Sequence, residues 1–566
     1  MKRQKLVLNI VLLGLLMVYK ANAQDTRKLY FTGLGRVEVM TNAANGAAYE
    51  GDTVSTNRST TGSTLFDLGL HLQPSDYLRV TSIVRLQNQF GAFFGQGSAV
   101  QLRQLKVEGL IADRIKYELG DIDLGMTPFT IYNYQDTALF ESSLFGLRRQ
   151  ISNYENLNES SDWRVQGAKA KSILFWGDSA QAKSEIEGFV VRTRENFNTQ
   201  PNRFLAGASV LNTLGNFNLG FNYVRMLEHK DTEDQIEAYA NDVVSTTLLF
   251  KKQSDVLNLA WNTEGGISAF NRTLVDSSKR NVNDGFVLSG ISAKLNKVGL
   301  QFGAKYRYVG PNFYSAVAQT LRINNSSASS LLGLQNAGST VRNPLLLDRY
   351  SQSSMYNPTL SPELMNYLPQ YGNVLPYGDA TPNRQGFSAT LDYKSAHDIV
   401  RLEVQSHFLN EISGAYKRAF SQYKIGLLVH IDSLLQIDKS FELCASLRNE
   451  NTSTSTAYPI DFTTNLMDVG ASYEVIDHLH LLLGMKMLTI KGNEFMDEYD
   501  DLNQVNASTN SPWDEQQQWL AWGLQFDFST KSFFTVHGNY ALYQDKLINT
   551  NNYDLNQYYI NYTLRF

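Results

Sequence analysis

The chain has 566 residues, a formal charge of −5 and a single cysteine, Cys444. A net negative chain lacks the basic face that a nucleic-acid partner needs, and one thiol rules out an internal disulfide or a cysteine-based metal site. Tyr and Phe number 30 each while mean hydropathy is −0.29, an average that does not decide against a membrane barrel, because strand alternation hides the apolar face from it.

The chain opens Met1-Lys2-Arg3-Gln4-Lys5, runs through an apolar stretch from Leu6 to Val18 and reaches Ala21-Asn22-Ala23 before Gln24. A basic start, a short apolar core and an A-x-A ending predict a cleavable export signal over 1–23. The apolar stretch falls short of the ~20 residues a spanning helix requires, and no cysteine follows the cleavage site to carry a lipid anchor. Removing the four basic residues of 1–23 takes the mature chain to −9. No later apolar run is long enough for a membrane helix. If 24–566 sits in a membrane, it does so as a single closed barrel domain.

From Leu29 onward apolar and polar residues alternate, which puts them on opposite faces of a strand. The first predicted strand, Leu29 to about Thr41, sets Phe31, Val37 and Val39 against Thr32, Arg36 and Glu38. The second sets Phe66, Leu68, Leu70 and Leu72 against Asp67 and His71, and ends at the turn Pro74-Ser75-Asp76. The third sets Leu78, Val80, Val84 and Leu86 against Arg79, Thr81, Arg85 and Gln87. The pattern returns at 217–223, 298–307, 400–408, 520–528 and 534–542.

About 22 such segments (range about 18–24) of roughly 9–13 residues fit the mature chain, the length of a tilted barrel strand. Their connections alternate short and long. The long ones lie at about 43–62, 90–99, 121–162, 195–203, 228–242, 271–284, 310–385, 410–418, 451–460, 494–516 and 545–555. Short periplasmic turns alternating with long extracellular loops predict an all-β fold, a transmembrane antiparallel β-barrel. None of the 12 prolines falls inside a predicted strand, as ladder hydrogen bonding demands.

The chain ends with Tyr558, Ile560, Tyr562, Leu564 and Phe566 on one face and Tyr559, Asn561, Thr563 and Arg565 on the other. This segment resembles the C-terminal sorting strand of Gram-negative outer-membrane β-barrels, whose final Phe and alternating aromatics are read by the insertion machinery. The resemblance implies an integral, multi-pass protein of the outer membrane, with membrane lipid and the barrel insertion machinery as partners. The strand count resembles that of the TonB-dependent transporters, whose lumen holds a plug domain. The first strand starts within about five residues of the predicted cleavage site, so the expectation is a plug-less, porin-like barrel.

Two outer loops, 121–162 and 310–385, are too long to be mere connections. The first carries Phe140, Leu144 and Phe145 beside Arg148 and Arg149, and the second holds seven of the 12 prolines. Loops this apolar must bury their surface. Folding inward would constrict or stopper an unfilled lumen; the alternative is an outer cap, or a docking face for a surface or secretion-complex protein. Lumen-facing candidates are Arg79, Arg85, Lys106, Glu108, Lys116 and Glu118 early in the chain, and Lys305, Arg307, Arg401 and Glu403 midway. Charge rings set ion selectivity in pores; inward charges also simply pair and hold loops. No single-sign ladder stands out.

The acidic stretch Glu494 to Asp501, expected in an outer loop, offers oxygen ligands for Ca²⁺ without the EF-hand spacing, and is read as a solvated loop. His478 and His480 share a strand face without an evident third ligand. No G-x-S-x-G, H-E-x-x-H or phosphate-binding glycine loop occurs, so no enzyme, cofactor or metal centre is expected. The function expected is a channel for small polar solutes, constricted by the long loops. The alternative is a structural or accessory barrel of an outer-membrane secretion or surface-assembly complex.

Overall fold

The computed structural model describes residues 28–49, 58–90, 97–136, 139–176, 182–195, 200–230, 238–273, 279–323, 343–351, 355–356, 360–361, 364–365, 367–414, 417–454, 459–499 and 505–566. The predicted export signal lies outside the described residues.

Twenty-two strands follow one another along the chain. The first eleven are β1 (Lys28–Asn45), β2 (Arg58–Ser75), β3 (Leu78–Gln89), β4 (Ser98–Ile111), β5 (Ile115–Leu124), β6 (Trp163–Phe175), β7 (Ala182–Arg194), β8 (Asn202–Leu214), β9 (Phe217–His229), β10 (Ala238–Lys252) and β11 (Leu257–Thr273). The rest are β12 (Lys279–Leu295), β13 (Leu300–Val309), β14 (Arg384–Lys394), β15 (Val400–Asn410), β16 (Ala419–His430), β17 (Phe441–Ser453), β18 (Asp461–Ile476), β19 (Leu479–Tyr499), β20 (Val505–Ser529), β21 (Ser532–Asp545) and β22 (Tyr553–Arg565). Each pairs antiparallel with its neighbours in sequence, and β22 returns to pair with β1 from Leu34↔Arg565 to Asn45↔Asp554. The sheet is a closed barrel, which leaves no strand edge to lipid within the wall. Among the described residues no helix is long and apolar enough to cross a membrane.

At the seam the Gly33 N–H donates to the Phe566 carbonyl at 2.9 Å and the Phe566 N–H donates to the Gly33 carbonyl at 3.1 Å. The Phe566 ring lies 5.8 Å from that of Phe66. A Cβ at Gly33 would sit 2.2 Å from the Phe566 ring and 2.8 Å from the Asp67 carbonyl oxygen. Only glycine admits the terminal ring there. Gly33→Leu is therefore expected to weaken closure by about 1–3 kcal/mol, the usual cost of overpacking. The readout is a lower temperature at which the folded band is lost on heat-modifiable gel electrophoresis. An unchanged temperature would show that the ring has room elsewhere.

Alternation sorts the two faces as the physics of a barrel requires. In β22, Gln557, Tyr559, Asn561 and Thr563 are buried inside, while Tyr558, Ile560, Leu564 and Phe566 are exposed on the outer face and Tyr562 is half-exposed there. Val100, Leu102, Ile267, Ile291 and Phe387 are each more than half exposed on the same outer surface. Aromatic pairs across neighbouring strands, Phe217 with Phe250 at 4.7 Å and Tyr306 with Phe387 at 5.2 Å, reinforce it.

Short turns and longer loops alternate throughout. One predicted loop needs correction. Residues 494–499 continue β19, and 505–516 belong to β20. These two strands pair with each other as far as Tyr499↔Val505, whereas β18 leaves β19 at Asn493 and β21 leaves β20 at Glu515. They form a two-stranded ribbon standing above the wall. A polar ribbon has no lipid face, so the alternation that marks the other strands is missing. The expectation that no proline lies in a strand also fails: Pro512 sits in this ribbon, where β20 has a partner on one side only, and Pro74 sits at the irregular end of β2.

Candidate functional site: the barrel interior

The third outer loop (125–162) and the seventh (310–383) bury large apolar residues in the interior. The third loop contains a helix, α1 (Ser143–Glu155), and the seventh a short one, α2 (Leu346–Ser351). Phe129, Leu144 and Phe145 from the third loop and Phe313, Val317 and Leu347 from the seventh are buried against inward-facing wall residues such as Phe286, Phe270 and Trp519. Phe129 stacks on Phe286 with ring centroids 3.8 Å apart. The hydrophobic core of the molecule is thus inside the ring, formed jointly by loops and wall.

The wall is shaped to receive the third loop. Gly426, Gly470, Gly484 and Gly523, on β16, β18, β19 and β20, leave a strip without side chains. A Cβ at Gly426 would meet Leu139 at 2.6 Å, and one at Gly470 would meet Ser142 at 2.5 Å. One at Gly484 would meet Phe145 at 2.9 Å, and one at Gly523 Leu144 at 3.1 Å. Ser142 stands at the cap position of α1, but its side chain bonds none of the helix amides; its hydroxyl donates to the Leu483 carbonyl at 3.1 Å. Cys444, beside this strip and buried, is a small inward side chain.

Ion pairs then fix the loop along its length. Lys486 of β19 places its Nζ 2.5 Å from Glu141 and 2.6 Å from Asp468, and Arg149 reaches Glu141 at 2.6 Å. Asp136 lies 2.9 Å from Lys424 and 2.5 Å from Arg448. Glu155, at the end of α1, pairs with both Arg36 and Arg85, and Arg85 also holds Asp67 at 2.8 Å. Arg148 sits 3.3 Å from Glu38 and 3.6 Å above the Tyr559 ring. The Tyr154 hydroxyl donates to Asp67; burial and that carboxylate push it up to about 12, so it stays a donor.

The seventh loop is held mainly through hydrogen bonds. Asn373 donates its main-chain N–H to Glu450 at 3.0 Å and its side-chain amide to Glu494 at 2.7 Å. Arg203 donates to the Leu360 carbonyl at 2.6 Å, and Asn241 accepts from the Ala316 N–H at 2.9 Å. Arg307 pairs with Asp379. The two loops also meet: Trp163, just past the third, donates to the Val317 carbonyl at 2.9 Å, and Ser315 donates to the Thr130 carbonyl at 3.2 Å.

Two loop carboxylates give these contacts a pH dependence. Burial alone would raise Asp136, but Lys424 and Arg448 outweigh it and hold the carboxyl far below its usual range. Asp379 is likewise lowered, burial being overcome by Arg307 and then Lys305. A lowered folded-state value contributes stability that is complete above the ordinary carboxylate pKa of ~4 and is lost as pH falls through the lowered value. Loop seating is expected to be constant from about pH 8 to 5 and to weaken below about pH 4. Bilayer conductance against pH checks this; a rise centred near neutrality would point to other groups.

The sequence-derived lumen candidates divide. Arg85 and Arg307 reach the loops through Glu155 and Asp379. Arg79, Lys106, Glu108, Lys116 and Glu118 pair among themselves across β3, β4 and β5, with Arg79 3.2 Å from Glu108 and Lys116 3.1 Å from Glu118. Arg401 pairs with Asp398 beside the β14–β15 turn. Lys305 is exposed on the Arg307 face, and Glu403 stands opposite Asp392; among the described residues neither forms an ion pair. Arg36, Asp67, Lys424, Arg448, Asp468 and Lys486 lie outside that candidate set, although alternation alone puts them on the inner face. Glu494 is a correction: it is no solvated loop residue but is buried on β19, 3.1 Å from Arg418. Asp500 and Asp501 lie outside the described residues. His480 lies 3.2 Å from Asp527 and His478 occupies the turn before β19. Among the described residues no three His, Cys, Asp or Glu side chains are grouped to hold a metal.

A closed ring of 22 strands with an apolar outer face, and no separate plug among the described residues, decides the architecture. The chain folds as a closed antiparallel β-barrel of 22 strands, of the kind that spans a membrane. No protein-family model matches it, and no curated protein does. Among solved structures it is similar to Pseudomonas aeruginosa OccK5 (OpdH), at 8% identity and TM-score 0.34, covering 95% of this chain and 98% of that one. It is similar to a BenF-like porin from Pseudomonas fluorescens Pf-5, at 9% identity and TM-score 0.36, covering 95% and 99%. It is also similar to the P pilus usher (PapC) translocation pore, at 8% identity and TM-score 0.33, covering 94% and 99%. The assignment of the barrel rests on its own closed wall.

Proposed function

We propose that this barrel resides in the outer membrane of a Gram-negative cell, delivered there through its C-terminal strand by the barrel insertion machinery. There it acts as a channel for small polar solutes. The third and seventh loops constrict the bore. What supports this reading is the way both loops are fastened inside the ring by polar contacts to the wall, most firmly at Lys486 and through Asp136 and Asn373 of the loops. A permanently sealed wall would not need polar anchors where apolar packing suffices, since buried ion pairs add little net stability over well-packed apolar residues.

Liposomes carrying the purified protein are expected to swell in neutral sugars of small size and to stop swelling as the sugar grows. Absence of swelling with any solute, together with a stable protein that co-purifies, would favour the second reading. In that reading the protein is a structural or accessory barrel of an outer-membrane secretion or surface-assembly complex, and the filled interior is its permanent state.

A further inference from the structure

A chamber of about 290 Å³ lies where the two long loops meet the wall of β16, β17 and β18. At ~30 Å³ per water it has room for about ten waters, or for one small organic molecule. Four guanidinium groups line it, from Arg149, Arg322, Arg349 and Arg448, against two carboxylates, Asp136 and Glu450. The pairings leave a surplus. Arg448 takes both lining carboxylates, Asp136 at 2.5 Å and Glu450 at 3.5 Å. Arg149 is matched by Glu141 at 2.6 Å. Among the described residues Arg322 and Arg349 form no salt bridge.

Both are built into the site rather than left loose on a surface. Arg322 is 7% exposed, lies 4.7 Å over the Trp163 ring and donates to the main-chain carbonyls of Asn156 and Leu157. Its Nε is buried and has no hydrogen-bond partner among the described residues. Arg349, on α2, is half-buried and lies 4.9 Å over the Tyr371 ring, and its buried Nε likewise has no hydrogen-bond partner among the described residues. Burial, with Arg164 adding to it, pulls the Arg322 guanidinium down to about 10, and Asp123, 2.8 Å from Arg164, offsets only part of this. A buried cation without a counter-charge is costly, and an anion that enters removes the cost. Tyr134, Tyr350, Tyr356, Tyr367 and Tyr371 supply the remaining walls, with ring faces for an apolar body.

We propose that this chamber binds a small organic anion, its charged group held by Arg322 and Arg349 and its apolar body packed among the tyrosines. The guanidinium fork suits a carboxylate or a phosphate monoester equally. The inference deepens the channel reading by naming what the constriction would select, but the chemistry of the site stands whether or not solute passes.

The test is calorimetric titration of the full-length, detergent-solubilised protein with cyclohexanecarboxylate, cyclohexyl phosphate, cyclohexanol and cyclohexylammonium. Saturable binding of at least one anion and none of the alcohol or the cation is expected. Arg349→Gln and Arg322→Gln should each weaken the anion at least tenfold, and Arg349→Lys should recover part of the loss. Heat-modifiable mobility checks that each variant is folded, and Arg349→Lys separates charge from packing if Arg322→Gln fails that check. Equal binding of alcohol and anions, no saturable binding of either anion, or full anion affinity in Arg349→Gln would overturn the proposal. Anion binding by a protein that forms no channel would sink the channel reading alone. A channel with no anion binding would sink this proposal alone.

Discussion

Replacing residues 311–382 by a short glycine-serine turn is expected to raise single-channel conductance severalfold. The excision is geometrically clean. Val309 and Arg384 face each other across β13 and β14, so the two strands already stand at hairpin distance and need only a tight connection. What is lost is material packed inside the ring: Phe313, Val317, Leu347, Tyr371 and Val374, all buried. A barrel of about 22 strands is wide enough that it normally contains a plug. With the seventh loop gone, only the third would remain to fill it. The wall keeps its own 22 ladders, so the variant should still show heat-modifiable mobility. A folded variant with wild-type conductance would mean that the seventh loop is not what limits flow.

Lys486→Met is expected to unseat the third loop. Lys486, Asp468 and Glu141 have side chains 1%, 1% and 3% exposed, and the lysine is the cation that both carboxylates share. Glu141 would keep Arg149, but Asp468 would be left buried with no cation. Breaking a buried pair in this way costs about 3–5 kcal/mol. The wall cannot yield, since β19 is paired on both sides over this stretch, so the loop is the element that moves. Arg148 and Arg149, now buried and half-buried against the wall, then become trypsin sites. Cleavage there in the variant and not in the wild type is the expected result. The double variant Lys486→Met, Asp468→Asn should recover most of the resistance, because Glu141 keeps Arg149 and no buried carboxylate is then left without a cation. Equal resistance in Lys486→Met and wild type would show that apolar packing on the glycine strip holds the loop unaided.

Much of the wall was legible because lipid imposes one rule on every spanning segment. Phe66 against Asp67, and Tyr558 against Tyr559, are read out by period two alone, and the short–long phase of the connections gives the closure parity. The method runs out where lipid does. Residues 494–499 and 505–516 are strand, yet they read as loop because neither face of that ribbon meets the membrane. Inside, the two long loops betray themselves by length and apolar content, but α1 does not, since its buried face (Leu144, Phe145, Arg148, Ser152) mixes polar and apolar side chains. Which inward charges matter is a question of partners far away in sequence. Lys486 meets Glu141 and Arg448 meets Asp136 across some three hundred residues, whereas Arg79 and Lys116 meet only their strand neighbours. Alternation puts all of these on the same face and cannot rank them.

The ring is locked by its own ends. Every other ladder joins strands adjacent in the chain, most of them across a few residues, while the Leu34↔Arg565 ladder joins segments more than five hundred residues apart. Loop-closure entropy grows with the logarithm of that separation, so the seam costs about 5–6 kcal/mol to bring together against about 1–2 kcal/mol for a tight hairpin. The sequence of events during assembly follows from this difference: neighbouring hairpins zip early, and the cylinder stays an unrolled ribbon, its outer strands unsatisfied, until the final residues arrive. Damage to the terminal few side chains should then cost the cell far more product than the handful of contacts they make would suggest.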